Sequence, residues 1–315
     1  MDFTKKFNIG LTLDTGLSEF KSFLAEYHKY IHSFYFSTPG SRFYHTRSVI
    51  AGEFMLPGKK RQFWKMLELI REYDIELELL FNTLRLDDEL IGRASEALTD
   101  HGLKADSVCF LSHNYDSVSK HFPDQKYIYS FNNGFQTKRQ IDNIIDNSKS
   151  DAFVLGSLFI RNNDFFSYLA SREKEVYLIL NNACSFNCET CNNTQSVCEK
   201  AFLRNLEKHS VEYLYALQSI FPFELTEGII DTSNIKCFKI SNRSSNLKFI
   251  RGALDSYIGG EVRSYVEKDK NNYAYWGRAG YFWKHFKSMD LDRILEHKRE
   301  IFALMQKDSS LEKEV

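Results

Sequence analysis

Eight short apolar runs, helical periodicity between most of them, and no glycine-rich phosphate loop after the first run together predict an α/β protein. The expected architecture is a TIM-barrel-like parallel barrel over residues 1–260, with a helical C-terminal extension, 261–315, packed on it. Alternation of strands and helices implies parallel strands joined by helical crossovers. Eight such units over about 255 residues match the size of this architecture. An open doubly wound sheet is disfavoured: Leu13-Asp-Thr-Gly-Leu17 offers one glycine where G-x-G-x-x-G would be needed.

The first strand is expected at Phe7 to Leu13 and is followed by a helical stretch from Gly16 to Lys29. Ile31 to Ser37 is the second strand, a loop containing Gly and Arg follows, and Arg61 to Tyr73 is helix-like. Ile75 to Phe81 is the third strand, with a helix near Asp87 to His101. Ser107 to Leu111, Tyr127 to Phe131 and Ala152 to Leu155 are the fourth, fifth and sixth strands. Helices are expected at Lys138 to Asn147 and Phe165 to Ser171. Val176 to Leu180 is the seventh strand and Cys237 to Ile240 the eighth. Between these two, Leu203 to Ile220 reads as one helix, with apolar residues at 203, 206, 211, 214, 217 and 220. Leu247 to Ile258 is also helix-like.

Composition narrows the functional classes. Of 315 residues, 43% are hydrophobic and 26% charged, as in ordinary globular proteins. Lys plus Arg total 41 against 42 Asp plus Glu, so bulk charge gives no argument for nucleic-acid binding. No apolar run reaches the roughly 18 residues of a membrane helix. MDFTKKFNIG has no apolar stretch after its lysines, so it does not read as a signal peptide. A cytoplasmic enzyme or binding protein, without membrane insertion, is the expectation.

The cysteines are the unusual feature. Cys184, Cys188, Cys191 and Cys198 fall within 15 residues, spaced C-x3-C-x2-C-x6-C, directly after the seventh strand. In such a barrel, chemistry sits where strands end and the following loops begin. Clustered thiolates in a reducing compartment suit a soft metal centre, zinc or iron–sulfur. Structural zinc usually uses two C-x2-4-C knuckles held apart by a spacer. Three thiols in eight residues favour a 4Fe-4S cluster instead. Cys198 is the expected fourth ligand and Cys237, which opens the eighth strand, the reserve. Asn181 and Asn182 open the loop and are the candidate cofactor-binding residues. Cys109 lies in an apolar strand and reads as a core residue.

Other polar residues occur at strand ends: Asp14, Asn82, Ser112, His113, Asn114, and further on Asn132, Asn133, Arg161 and Asn162. Asn, Asp and Ser also favour loops and helix caps, and that plainer role is the alternative for each. Strand alternation puts Cys237, Lys239 and Ser241 on one face. Lys239 and Arg243 are the candidate catalytic residues: Lys239 to bind an acidic substrate or donor group, Arg243 to grip a carboxylate. The alternatives are an internal salt bridge from Lys239 to Glu76 or Glu78, and a solvated loop charge for Arg243. Arg42, His45 and Arg47 are lesser candidates for anion binding, and His113 and His209 for acid–base work.

Two families resemble parts of this chain. C-x3-C-x2-C and Gly259-Gly-Glu261 are similar to motifs of radical S-adenosylmethionine enzymes. That family's cysteine loop follows the first strand, however, and carries an aromatic residue where this chain has Thr190. The second resemblance covers roughly residues 5–260. Phe7-Asn-Ile-Gly-Leu-Thr-Leu-Asp14, Arg161-Asn-Asn-Asp-Phe-Phe166, Leu180-Asn-Asn-Ala-Cys-Ser-Phe-Asn-Cys188 and Phe238-Lys-Ile-Ser-Asn-Arg243 resemble, in order, segments of the short, barrel-only branch of the U32 peptidase family. This chain departs from that pattern at Asn182, Glu189 and Asn242, where the family has Glu, Pro and Gly. The resemblance implies an iron–sulfur enzyme, or a cluster-bearing subunit with a heterodimer or redox partner. It further implies oxygen-independent hydroxylation of a small-molecule or RNA substrate. A zinc-stabilised interaction protein is the remaining class. Tyr273 to Phe286 would offer an aromatic partner surface, and Lys284, His285, Lys287, Arg293, Lys298 and Arg299 charges for RNA, diluted by Asp290, Asp292 and Glu296. No Ser/His/Asp or metalloprotease motif supports a protease.

Overall fold

The computed structural model describes residues 1–38, 58–82, 86–133, 137–156, 159–181, 204–241, 247–267 and 288–311. Eight strands pair in chain order and the eighth returns to the first, closing an all-parallel barrel. They are β1 (Phe7–Gly10), β2 (Ile31–Phe36), β3 (Glu76–Phe81), β4 (Ser107–Phe110), β5 (Lys126–Tyr129), β6 (Ala152–Leu155), β7 (Glu175–Ile179) and β8 (Ile235–Ile240). Each lies within two or three residues of its expected bounds. The strands read as continuous apolar runs because both faces are buried, one by the barrel interior and one by helices.

The main α-helices among the described residues are α1 (Leu17–Tyr27), α2 (Lys59–Glu72), α3 (Asp88–Thr99), α4 (Tyr115–His121), α5 (Lys138–Asn147), α6 (Asn163–Ser171), α7 (Val211–Gln218), α8 (Pro222–Thr226), α9 (Leu247–Gly259) and α10 (Leu291–Leu311). Their starts follow from side-chain caps. Asp87 accepts from Leu90 N–H, Thr137 and Gln140 form a reciprocal box, and Asn162 accepts from Phe165 N–H. In α1, Phe20, Phe23, Leu24 and Tyr27 recur at helical spacing and bury one face.

Two features depart from expectation. The single helix at Leu203 to Ile220 is instead α7, starting at Val211. Ser210 caps it by accepting from Tyr213 N–H, so the periodicity spans two segments, a helical turn at 204–206 and α7. The short α4 and α8 also escape a periodicity search, each being at most two turns long. The extension does carry a long helix: α10 packs on α7. Lys298 of α10 places its ammonium 2.8 Å from Glu224 and also donates to the carbonyls of Ala216 and Ser219. No described helix is long and apolar enough to cross a membrane.

Inward residues of alternate positions form one cluster: Tyr35, Leu80, Cys109, Ile128, Ala152, Val154, Tyr177, Ile179 and Cys237. The outward residues join the helices in a second, larger core. Register shifts insert His32 into β2 opposite β1 and Lys236 into β8 opposite β7. Such bulges re-aim side chains at the rim of a barrel.

Candidate functional site

The polar residues of the barrel interior come from strands distant in sequence. Asn8 of β1 donates through Nδ2 to Ser33 Oγ at 2.5 Å and to Glu78 Oε2 at 2.8 Å. Lys239 of β8 donates to Glu78 Oε1 at 2.5 Å, and its ammonium lies 4.0 Å from the centre of the Tyr35 ring. Tyr35 donates its hydroxyl to the Ile240 carbonyl at 2.8 Å. Its Cα partner on β1 is Gly10, and β1 lies between β2 and β8. The ring therefore crosses β1 where glycine presents no side chain. Lys239 thus takes the salt-bridged position weighed as its alternative, with Glu78 as the partner. Burial opposes its charge, but Glu78 more than compensates and raises the ammonium above its ordinary value. Glu78 and Asn8 are fully buried, whereas Lys239 retains 8% exposure. Asn8 Oδ1 is buried with no hydrogen-bond partner, a state that costs about 1–3 kcal/mol.

Cys237 points into the same interior and is fully buried among Tyr177, Ile179 and Cys109. Burial first, and the Glu78 charge second, push its thiol well above the usual range. Burial likewise pushes the Cys109 thiol up to about 12. Asn181 stands just beyond β7. Its Nδ2 donates to the Ser241 carbonyl at 2.9 Å and its Oδ1 accepts from Ser241 N–H at 2.6 Å. This two-bond clamp fixes the ends of β7 and β8 together, immediately before the cysteine segment in the sequence. Asn182, Cys184, Cys188, Cys191, Cys198 and Arg243 lie outside the described residues, as do Arg42, His45, Arg47 and Tyr273 to Phe286. Among the described residues, no three His, Cys, Asp or Glu side chains are placed to share a metal ion.

The remaining strand-end residues mostly serve the fold. Asp14 accepts from Thr12 Oγ1 at 2.6 Å and from Leu247 N–H, 3.3 Å from each oxygen, at the first residue of α9. Burial pushes its carboxyl up. A carboxylate there complements the helix N-terminus. Arg161 is buried against Glu224, with Nε–Oε2 at 2.6 Å, and donates to the carbonyls of Leu217 and Ser219 at 2.7 Å. Asn133 accepts from Ser112 N–H, His113 is pushed down by burial, and His209 stacks on Tyr213. Gly259-Gly-Glu261 ends α9: Gly260 is left-handed at φ +74° and Glu261 N–H bonds the Ser256 carbonyl at 2.9 Å. That is a helix C-cap, and it accounts for the glycine at 260.

Sequence reading passed over Asn8 and Tyr35. A polar residue between Phe7 and Ile9, at an inward position of an otherwise apolar strand, was the available signal for Asn8. For Tyr35 there was none, since its partner is a backbone carbonyl of β8.

No family model and no curated protein matches the chain. Among solved structures, a U32 peptidase is similar at 11% identity and TM-score 0.45, over 76% of this chain and 93% of that one. A dihydrodipicolinate synthase from Bacillus clausii is similar at 9% identity and TM-score 0.43, over 90% and 84%. A mandelate racemase/muconate lactonizing family protein from Azoarcus sp. EbN1 follows at 10% and 0.38, over 56% and 44%. The barrel assignment itself stands on the strand order and the parallel pairing.

Proposed function

We propose that this chain is an iron–sulfur barrel enzyme, resembling in its cysteine loop the short branch of the U32 family. The observation that carries the reading is the spacing of the four thiols, which begins three residues beyond Asn181. β7 ends there, at the face where barrels of this class carry their chemistry. The donor set fits a 4Fe-4S cluster: Cys184, Cys188 and Cys191, with Cys198 as the fourth ligand. Cys237 is the poorer fourth ligand, since its thiol is enclosed by barrel side chains and a ligating thiol must lose its proton. When bound, the cluster supplies an electron-transfer centre at the barrel mouth. Asn181 holds the base of the loop through Ser241. Arg243 is the proposed cation for an acidic substrate or donor group, and Lys239, neutralised by Glu78, a proposed hydrogen-bond donor to it. Oxygen-independent hydroxylation is the reaction class that the resemblance implies. The C-cap role of Gly259-Gly-Glu261 accounts for one of the two motifs shared with radical S-adenosylmethionine enzymes without invoking that cofactor.

Anaerobic purification with iron, sulfide and zinc analysis tests the reading. About four irons and four sulfides per chain are expected, with a brown absorption that Cys184→Ala and Cys188→Ala each abolish. One zinc in a colourless protein would overturn it. Cleavage of added S-adenosylmethionine would move the assignment to the radical enzymes.

A further inference from the structure

The geometry points to a subsite for a ligand hydroxyl group in the barrel interior, between Asn8 and Lys239, and so to a neutral polyhydroxyl small molecule as ligand. The inference uses no cysteine and stands apart from the cluster reading. Both N–H groups of the Asn8 amide are spent, on Ser33 and Glu78. Turning the amide over would set its oxygen against the Glu78 carboxylate, so the assignment of nitrogen and oxygen is forced. Oδ1 is therefore a fully buried acceptor with nothing to accept. The Nδ2 bonds go to β2 and β3, which leaves β8 as the neighbouring strand of β1 that Asn8 does not bond. Lys239 is the residue paired with Asn8 on that strand.

Lys239 has the complementary surplus. An ammonium carries three N–H groups, and one goes to Glu78 while the Tyr35 ring covers part of the remainder. Asn8 and Glu78 are fully buried while Lys239 keeps 8% exposure, so β8 marks the side from which a ligand enters. The charges decide the ligand class. Glu78 already neutralises Lys239, so a phosphate or carboxylate would face both the Glu78 carboxylate and the orphan carbonyl of Asn8. A cation would face the ammonium. A hydroxyl satisfies both groups at once, accepting from Lys239 and donating to Asn8 Oδ1.

The test is ligand-detected NMR on the full-length protein with glycerol, ribose, glucose and inositol as probes, and inorganic phosphate and acetate as charged controls. Saturable binding of at least one polyol, displaced by neither anion, is expected. Lys239→Met and Asn8→Ala should each weaken that binding by at least about tenfold, and circular dichroism reports whether each has folded. Should either variant fail to fold, the polyol-against-anion comparison on the wild-type protein still decides. Absence of binding by all four polyols would assign the gap to a bound water and overturn the inference. So would displacement of the bound polyol by phosphate or acetate, or unchanged polyol affinity in both folded variants. Iron content and colour are read separately, so a colourless protein leaves this result interpretable.

Discussion

Lys239 and Glu78 illustrate how a buried charge pair is held. Each is costly alone, and together they exchange desolvation for a short ion pair inside the barrel. Glu78→Leu should therefore cost about 3–5 kcal/mol in urea unfolding. The double variant Glu78→Leu/Lys239→Met should recover much of that loss, because no unpaired charge remains. Equal losses in the single and double variants would show that the pair is not the stabilising unit. His32 makes a second prediction at this scale. Burial, with Lys236, Lys126, Lys5 and Lys6 nearby, pushes its imidazole down to about 3. Its Nε2 lies 3.2 Å from the Tyr177 hydroxyl and 3.5 Å from Glu76. The folded value lies below the unfolded one, so the contribution is complete above pH ~6.5 and is lost as pH falls toward about 3. His32→Gln should remove about one proton from the pH dependence of unfolding in that window. A wild-type slope retained in the variant would contradict this.

At the scale of elements, the docking of α10 depends on three buried charges. Arg161 and Lys298 share one carboxylate, Glu224. Burial raises the Glu224 carboxyl, but Lys298 and Arg161 outweigh it and hold it below its ordinary value. The surplus cation bears the imbalance: burial, then repulsion from Arg161, push Lys298 down to about 7. Its folded value lies below the unfolded ~10.5. Docking should therefore tighten as pH rises from about 7 toward ~10.5, and lose that gain as pH falls back through 7. Hydrogen-exchange protection of α10, corrected for intrinsic rates, reads this directly. Lys298→Met should flatten the trend, since Arg161 alone then balances Glu224. Glu224→Gln should cost about 3–5 kcal/mol because it leaves two buried cations without a counterion. The pair sits among Phe221, Phe223 and Phe302, with Lys298 4.5 Å from the Phe221 ring centre. Apolar packing thus surrounds the charges and keeps water from screening them.

For the whole molecule, the eight strand ladders that close the barrel are all made by strands outside 182–203. A variant with Cys184, Cys188, Cys191 and Cys198 all changed to Ser should keep its far-UV circular dichroism and unfold cooperatively. Loss of the folded state would make the segment a structural metal site, as in small zinc domains. The Asn181–Ser241 clamp, in contrast, joins β7 and β8 directly. Asn181→Ala should lower stability by about 1–2 kcal/mol, the worth of two neutral hydrogen bonds with one group left buried, and should loosen the base of the segment.

By itself, the sequence determined the order and type of nearly every element. Apolar runs bounded by polar strand ends reveal a strand wherever both faces are buried, and α5 and β6 appear with their observed bounds. It also determined that Lys239 and Cys237 share a face, because that follows from strand alternation alone. What it left open was partnership. Glu78 is 161 residues from Lys239, and Glu76 was an equal choice until the register of eight strands set which carboxylate stands opposite. The Arg161–Glu224–Lys298 network, the ring of Tyr35 crossing β1, and the break at Ser210 have the same origin. Each depends on contacts between distant segments, which local propensity does not encode. Only closure of the barrel, with its two register shifts, decides which of the buried polar groups meet and which acceptor is left over.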